Sequence, residues 1–558
     1  MVRTEAFPSV AITGTADLWC TYAAIRTLTW LGRLDDAPGR ADSADYLRAR
    51  RNADGGYAWS RGMPSDAWAT FYCAASLAAL GETLPDSDRT AAWVRGTWSD
   101  SSAGAAYAMM PGQAPDVWAT HFSTRTAIEL CGDDVPDRDR LLAWLAALQT
   151  ADGGLSWSPE HGDADVRACY YGVAAWRALN TELPWDVPAL VAWLRRQQVA
   201  GGGFRFGPDA QVPCLWATYR AVGALAMLGA APAGDCVTWI LGRLGDGGFT
   251  RWDGYPVADV WAAFSAVGAL RDLGGVPHDV ADAVVAALAG MACPGGGYTY
   301  REPELAADAL RVAAGALSSA PDDPGLPRMR RWLEACQLPN EGGLMYMPGR
   351  GAEIRCTLWA LAAGAFPDDG PSRQAIRDWL ARLQNPDGGF GYWHGRGSDL
   401  VSTASAVEIA RLLDGTVDTG RLAAFVRRCA TDDGHGNVPG APATLRAGLH
   451  AARVLGGPTP RVVAELLARH RVRGGGWANQ GNRLPDLLST YEAVATADRF
   501  GIPVEGVDAF LARTATPAGA SWSPLDPGDS DPLAGCLHRL LRKRFVDPSC
   551  ELPALTLS

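Results

Sequence analysis

Two short strings in this chain place chemistry-bearing residues at spacings that let them act together. In Asp163-Ala-Asp165-Val-Arg167, two carboxylates stand at the start of an apolar stretch and a guanidinium follows. Carboxylates crowded at the mouth of an apolar space repel one another and lose hydration, so one pKa rises and that group can act as a general acid. The other reading of Asp165 is a helix cap, accepting hydrogen bonds from a first turn. Glu353-Ile-Arg355 repeats the acid-then-arginine order and makes Glu353 a rival donor. Asp529-Ser-Asp531 shares the spacing, but Pro532 follows at a common first-turn position and the string reads as a cap. Glu302, Glu304 and Asp308, followed by Arg311, read as a solvated helix start.

The elements that must hold these residues are legible as an internal repeat. A Gly-Gly cluster followed by an aromatic or Leu recurs, as at Ala53–Tyr57, Ala151–Leu155, Asp246–Phe249 and Gly474–Trp477. About ten residues after each cluster a helix starts. In register, the starts are Asp17, Asp66, Asp116, Asp165, Cys214, Asp259, Asp308, Glu353, Asp399, Thr444, Asp486 and Asp531. They lie roughly 42 to 50 residues apart, one helical hairpin per repeat. The first helix of each repeat is apolar nearly all round and belongs inside; the second carries a narrower apolar stripe and faces solvent. Alternating inner and outer helices with no polar end repeats favour closed rings over an open solenoid. The expected fold is therefore all-α, twelve hairpins closing into two (α/α)6 toroids.

The same register exposes a deviation. Two residues past the start, five repeats carry Trp19, Trp68, Trp118, Trp216 and Trp261, whereas three carry Arg167, Arg355 and Arg446. A guanidinium where sister repeats hold an indole needs a partner, either a carboxylate within the ring or an anion such as a substrate diphosphate.

Composition bounds the possibilities. The chain has 558 residues, 48% hydrophobic, with a net charge of −11. Such a charge argues against a general nucleic-acid surface. The twelve cysteines form no CxxC pair or zinc-like cluster, and Cys20, Cys73, Cys169, Cys214 and Cys356 sit in apolar helical patterns, so they read as reduced, buried small hydrophobes. MVRTEAFPSV lacks the order of a secretory signal and no apolar run reaches membrane-spanning length, so a cytoplasmic protein without a transmembrane segment is expected.

The stretches Leu148–Trp157 (LQTADGGLSW) and Leu383–Trp393 (LQNPDGGFGYW) resemble the Gln-to-Trp repeat motif of squalene-hopene and oxidosqualene cyclases, and prenyltransferase β-subunits share the Gly-Gly-aromatic punctuation. The resemblance covers roughly residues 15 to 545. It implies a class II-type terpene cyclase, an isomerase that protonates a prenyl diphosphate or other polyprenyl substrate in an aromatic-lined cavity. Under it Asp165, Asp163 or Glu353 supplies the proton, and Arg167, Arg355 and Arg446 hold a diphosphate. Trp68, Trp118, Trp216, Trp261 and Trp359 shape the cavity and stabilise carbocations through cation–π attraction. The partner is then a small isoprenoid, with Mg2+ accompanying a diphosphate. In those cyclases the first helix belongs to the second barrel, which implies a barrel of residues 1–40 plus 325–558 around an inserted barrel of 41–324. Simple succession, 1–285 then 286–558, is the alternative.

The chain departs from the family at the acid, because it lacks the Asp-x-Asp-Asp motif. When Leu358-Trp359-Ala360-Leu361 is matched to the family helix, the acid position is Ala352 and Glu353 matches only the last carboxylate. The prenyltransferase zinc ligands, Asp-x-Cys plus a later His, have no counterpart either. Cys214 lacks a matching Asp, His394 and His435 lie in Gly-rich loops, and no zinc is expected. Asp133-Asp134-Val-Pro-Asp137 mimics a magnesium motif that must lie on a helix, but it contains Pro136 and falls in a loop. Two other readings stand beside the cyclase: a non-catalytic toroid binding an isoprenoid or a protein, and a toroidal glycoside hydrolase.

Overall fold

Helices begin where the register residues stand. The computed structural model describes residues 16–557 apart from 60–63, 161–162, 211, 256, 301–308, 346–350, 394–396, 457–459, 481–483, 518 and 526–530. Glu302, Glu304, Asp308, His394 and Asp529 thus lie outside the described residues. Asp17, Asp66, Asp116 and Asp259 each accept a hydrogen bond from the backbone N–H three residues on, and Asp399 and Asp486 do the same. Cys214 opens its helix without a side-chain bond.

The first unit comprises residues 13–307. Its inner helices, numbered in chain order, are Leu18–Trp30, Ala67–Ala79, Val117–Arg125, Val166–Leu179, Leu215–Met227 and Val260–Asp272. Each packs on the next and the sixth packs on the first, which closes the ring. The third runs on into a wider π-type turn, Thr126–Leu130. The second unit comprises residues 308–558. Its inner helices, seventh to twelfth, are Ala309–Ser318, Ile354–Ala362, Leu400–Leu412, Leu445–Leu455, Leu487–Arg499 and Pro532–Val546. They close in the same way, the twelfth packing on the seventh. Among the described residues the only named strands form four two-stranded antiparallel hairpins, such as Trp98–Ser101 with Gly104–Tyr107.

Inner helix 1 packs against inner helices 2 and 6, so the described part of residues 1–40 completes the first ring and does not join 325–558. The described residues divide at 307/308.

The Gly-Gly turn owes its sequence to close packing. Gly153 has φ 96°, a conformation that favours glycine, and a Cβ there would stand 2.8 Å from the Ala189 carbonyl oxygen. A Cβ on Gly154 would stand 2.7 Å from the Trp193 indole of the outer helix Val187–Arg196. Gln149, which opens this turn, donates to the carbonyls of Gly153 (3.2 Å) and Asp186 (3.0 Å) and accepts from Asp186 N–H. Asp186 caps that same outer helix, so one Gln side chain fastens one repeat's turn to the next. A buried inner-helix hydroxyl finishes the joint: Thr218 Oγ1 accepts from Phe204 N–H (2.9 Å), and Thr120 and Thr357 do the same for Tyr107 and Leu344.

Candidate functional site

The first ring is filled by aromatic side chains in layers, one per helical turn. At the N-terminal ends Trp19 meets Trp68 at 4.9 Å and Trp261 at 4.6 Å between ring centroids, and Trp68 meets Trp118 at 4.3 Å. Trp216 is buried on inner helix 5 at the same register position. Trp68, Trp118, Trp216 and Trp261 therefore share one layer of one ring, whereas Trp359 lies in the second unit and donates to the Thr556 carbonyl at 3.0 Å. One turn further on, Tyr22 stacks on Tyr72 at 4.0 Å, His121 faces Tyr171 at 5.0 Å, and Tyr219 meets Phe264 edge-on at 5.1 Å. Burial pushes the His121 imidazole well below its ordinary pKa, with Arg125 and Arg220 adding to the effect, so the ring is neutral at pH 7.

Arg220 stands within this second layer. It is 6% exposed and donates to the Trp216 carbonyl and the Tyr171 hydroxyl, each at 3.2 Å. Its Nε has no hydrogen-bond partner, and among the described residues no carboxylate pairs with it. The same unit handles another buried guanidinium differently. Arg251, 0% exposed, lies 2.5 Å from the Asp259 carboxylate. A buried cation surrounded by aromatic rings and hydroxyls is attracted to their faces but keeps its charge unneutralised, which suits it to meet an anion. Towards the C-terminal ends Arg26 and Arg271 lie over Trp30 at 5.3 and 4.6 Å, and Arg125 lies over Phe71 at 4.8 Å. Helix C-termini favour cations there.

The acids and arginines singled out by spacing are held by contacts within the chain. Asp163 is exposed. Asp165 caps inner helix 4, accepting from Arg167 N–H at 2.6 Å, and both its oxygens accept from the Arg167 guanidinium (2.7 to 3.2 Å). That guanidinium also lies over the rings of Trp157 and Phe206. Glu353, 2% exposed, caps inner helix 8 and accepts from Arg355 Nε at 2.6 Å and from Cys356 N–H at 3.1 Å. Neither acid is aimed at an apolar space, because Arg and the helix N-terminus take up its oxygens. Arg446 donates to the Leu557 carbonyl and lies 3.6 Å from Glu492. Each of the three arginines thus meets a carboxylate of the chain itself, the internal alternative to a diphosphate.

The carboxyl best placed to keep a proton is Asp116. It caps inner helix 3 two residues before Trp118, accepts from Ala119 N–H at 2.8 Å and makes no ion pair among the described residues. Burial raises its pKa to about 6 against the pull of that N–H bond. The signal for Arg220 was in the sequence but off the positions compared, and Asp116 stood among the helix starts with nothing to single it out. Arg220 is the lone charge in LWATYRAVGALAM, one turn past the register position, and Asp116 looks like every other cap.

Among the described residues no group of three His, Cys, Asp or Glu side chains could hold a metal ion. Arginine side chains offer Mg2+ no oxygen ligand. All twelve cysteines are free thiols, and among the described residues no helix is long and apolar enough to cross a membrane.

Comparison with known proteins places these rings. The family model for the prenyltransferase alpha-alpha toroid domain matches residues 2–97, 62–250, 169–344 and 309–454. The protein farnesyltransferase β-subunits of Pisum sativum and Arabidopsis thaliana are 30% and 29% identical over 118 and 117 residues, 20% of this chain in each case. The chain spans only about a quarter of their length, 27% and 24%. Among solved structures, the ent-copalyl diphosphate synthase of Streptomyces platensis aligns over 96% of both chains at 18% identity and a TM-score of 0.38. A type II terpene cyclase from Scytonema aligns over 42% of this chain and 87% of its own at 14% identity and a TM-score of 0.32.

Proposed function

This chain belongs to the prenyltransferase alpha-alpha toroid family, and from that premise we propose that it is an isoprenoid cyclase whose first ring receives a prenyl diphosphate. The observation that carries the reading is Arg220, a buried guanidinium that pairs with no carboxylate among the described residues, set among Tyr72, His121, Tyr171 and Tyr219. The diphosphate meets Arg220 together with Arg26, and the polyene lies along the aromatic layers. Those rings repel nothing on the hydrocarbon and stabilise positive charge as it develops. Asp116 supplies the proton, because burial keeps it closer to its neutral form than an ordinary carboxylate. The proton passes to a terminal alkene carbon, the ring-forming π electrons quench the cation, and a base takes back one proton, so substrate and product are isomers.

The test is incubation with geranyl, farnesyl and geranylgeranyl diphosphates and squalene, followed by product analysis. A cyclised diphosphate formed by the native chain, with binding at least tenfold weaker in Arg220→Gln, is expected. If no isoprenoid binds or reacts, the proposal fails; binding without turnover would leave a carrier in place of an enzyme.

A further inference from the structure

The second ring lacks the aromatic filling of the first. Five residues past the helix starts, the first ring carries Tyr22, Phe71, His121, Tyr170, Tyr219 and Phe264, an aromatic ring from every inner helix. The same positions of the second ring hold Ala313, Leu358, Ala404, Leu449, Tyr491 and Cys536. All six are buried, yet so small a set cannot fill the same layer to the density of a protein interior without another occupant.

The chain supplies that occupant. Beyond the last inner helix, Pro532–Val546, an exposed turn reverses its direction: Ser549 N–H donates to Asp547 Oδ1 and Cys550 N–H to the Asp547 carbonyl, each at 3.0 Å. Residues 551–557 then run without helix or strand, and burial deepens along them from exposed Glu551 to Leu555 and Thr556 at 0% exposure. Tyr491 of inner helix 11 donates to the Pro553 carbonyl at 2.7 Å, and Trp359 of inner helix 8 to the Thr556 carbonyl at 3.0 Å. Ser405 Oγ of inner helix 9 lies 2.5 Å from Thr556 Oγ1, and Arg446 of inner helix 10 donates to the Leu557 carbonyl. A buried segment that touches four successive inner helices within their first two turns lies inside the ring.

The ring does not need this segment in order to close. Each inner helix packs on the next and the twelfth on the seventh. Arg446 also lies 3.6 Å from Glu492, so its charge stays paired when the Leu557 carbonyl leaves. Beside the segment there is already a cavity of about 720 Å3, lined by Leu552 and Ala554 together with Val494, Ile502 and Phe545. Leu552 and Ala554 therefore face open space where a core residue would meet packed neighbours.

We propose that residues 551–557 are a removable plug. The second ring is a chamber that the chain itself occupies, and movement at the Asp547–Cys550 turn withdraws the segment while the six inner helices stay closed. Withdrawal joins the vacated space to the neighbouring cavity and bares the donors of Trp359, Ser405, Arg446 and Tyr491. A segment passing between an ordered and a released state is an established kind of switch, and here it governs access to the second ring. The device lies wholly within the second unit and is independent of the first-ring reading.

Amide hydrogen exchange on the full chain tests it. The amides of Leu552, Ala554, Leu555, Thr556 and Leu557 should be protected at least a hundredfold less than those in the middle of Leu487–Arg499, because the plug opens alone. Equal protection of the two sets would mean that the segment leaves only when the ring unfolds, and would overturn the proposal. Leu555→Asp, which sets a charge at a wholly buried position, should expel the segment from a ring that still unfolds cooperatively. Thermolysin should then cut within 551–557, and the neutral dye N-phenyl-1-naphthylamine should bind saturably, at least fivefold more than to the native chain. A Leu555→Asp chain that loses its fold assigns the segment to the ring's core and overturns the plug, as does a folded variant that takes up no dye.

Discussion

At the scale of the residue, a carboxylate's neighbours decide what it can do. Asp165 and Glu353 were conspicuous by spacing, yet each closes on the arginine two residues along. Asp116 has no such partner, and burial sets its pKa at about 6. A folded-state pKa above the unfolded 3.8 means that the group's contribution is fully present below pH 4 and is lost as pH rises through about 6. Asp116→Asn keeps a good capping side chain and removes the cost of burying charge. The variant should therefore be more stable than the native chain at pH 7, by up to about 3 kcal/mol, with the advantage gone below pH 4. Thermal unfolding at pH 4 and pH 7 checks this. If Asp116 is also the proton donor, the same variant loses turnover while gaining stability, a combination that a purely structural cap would not produce.

At the scale of the element, the sequence was informative where one signal repeats and silent where a contact depends on the third dimension. Caps, Gly-Gly turns and the inner–outer alternation recur at fixed spacing, so the twelve helix starts could be read directly. The bond from Thr218 to the Phe204 N–H could not, because it spans 14 residues and looks like any Thr in an apolar helix. Arg220 escaped for a related reason. Comparison at one register position cannot rank a residue a turn away whose meaning lies in having no carboxylate nearby. Thr218→Val preserves shape and leaves a buried N–H unsatisfied, so it should destabilise the first unit by about 1–3 kcal/mol. Thr218→Ser, which keeps the hydroxyl, should recover most of that loss in a denaturant titration; equal losses in the two variants would show that packing of the methyl matters more than the bond.

At the scale of the whole molecule, the question is which chain segments each ring needs. A ring of six inner helices has no free edge, so removing one opens two apolar faces at once. Inner helix 1 fills the gap between helices 2 and 6, burying Leu18, Trp19, Tyr22, Ile25 and Leu28. At about 1.5–3 kcal/mol for each large apolar side chain, its loss costs on the order of 10 kcal/mol, comparable to the entire stability of a domain. The resemblance to cyclases with an inserted barrel assigned this helix to the other ring, because connectivity inherited from a family is not written in the periodicity of the repeat. A fragment of residues 13–307 should then unfold in a single cooperative transition, and one of residues 41–307 should not. Residues 308–558, in contrast, should be indifferent to the presence of 13–40. Circular dichroism on the three fragments distinguishes the arrangements: cooperative unfolding of 41–307 at the temperature of 13–307 would return the first helix to the second ring.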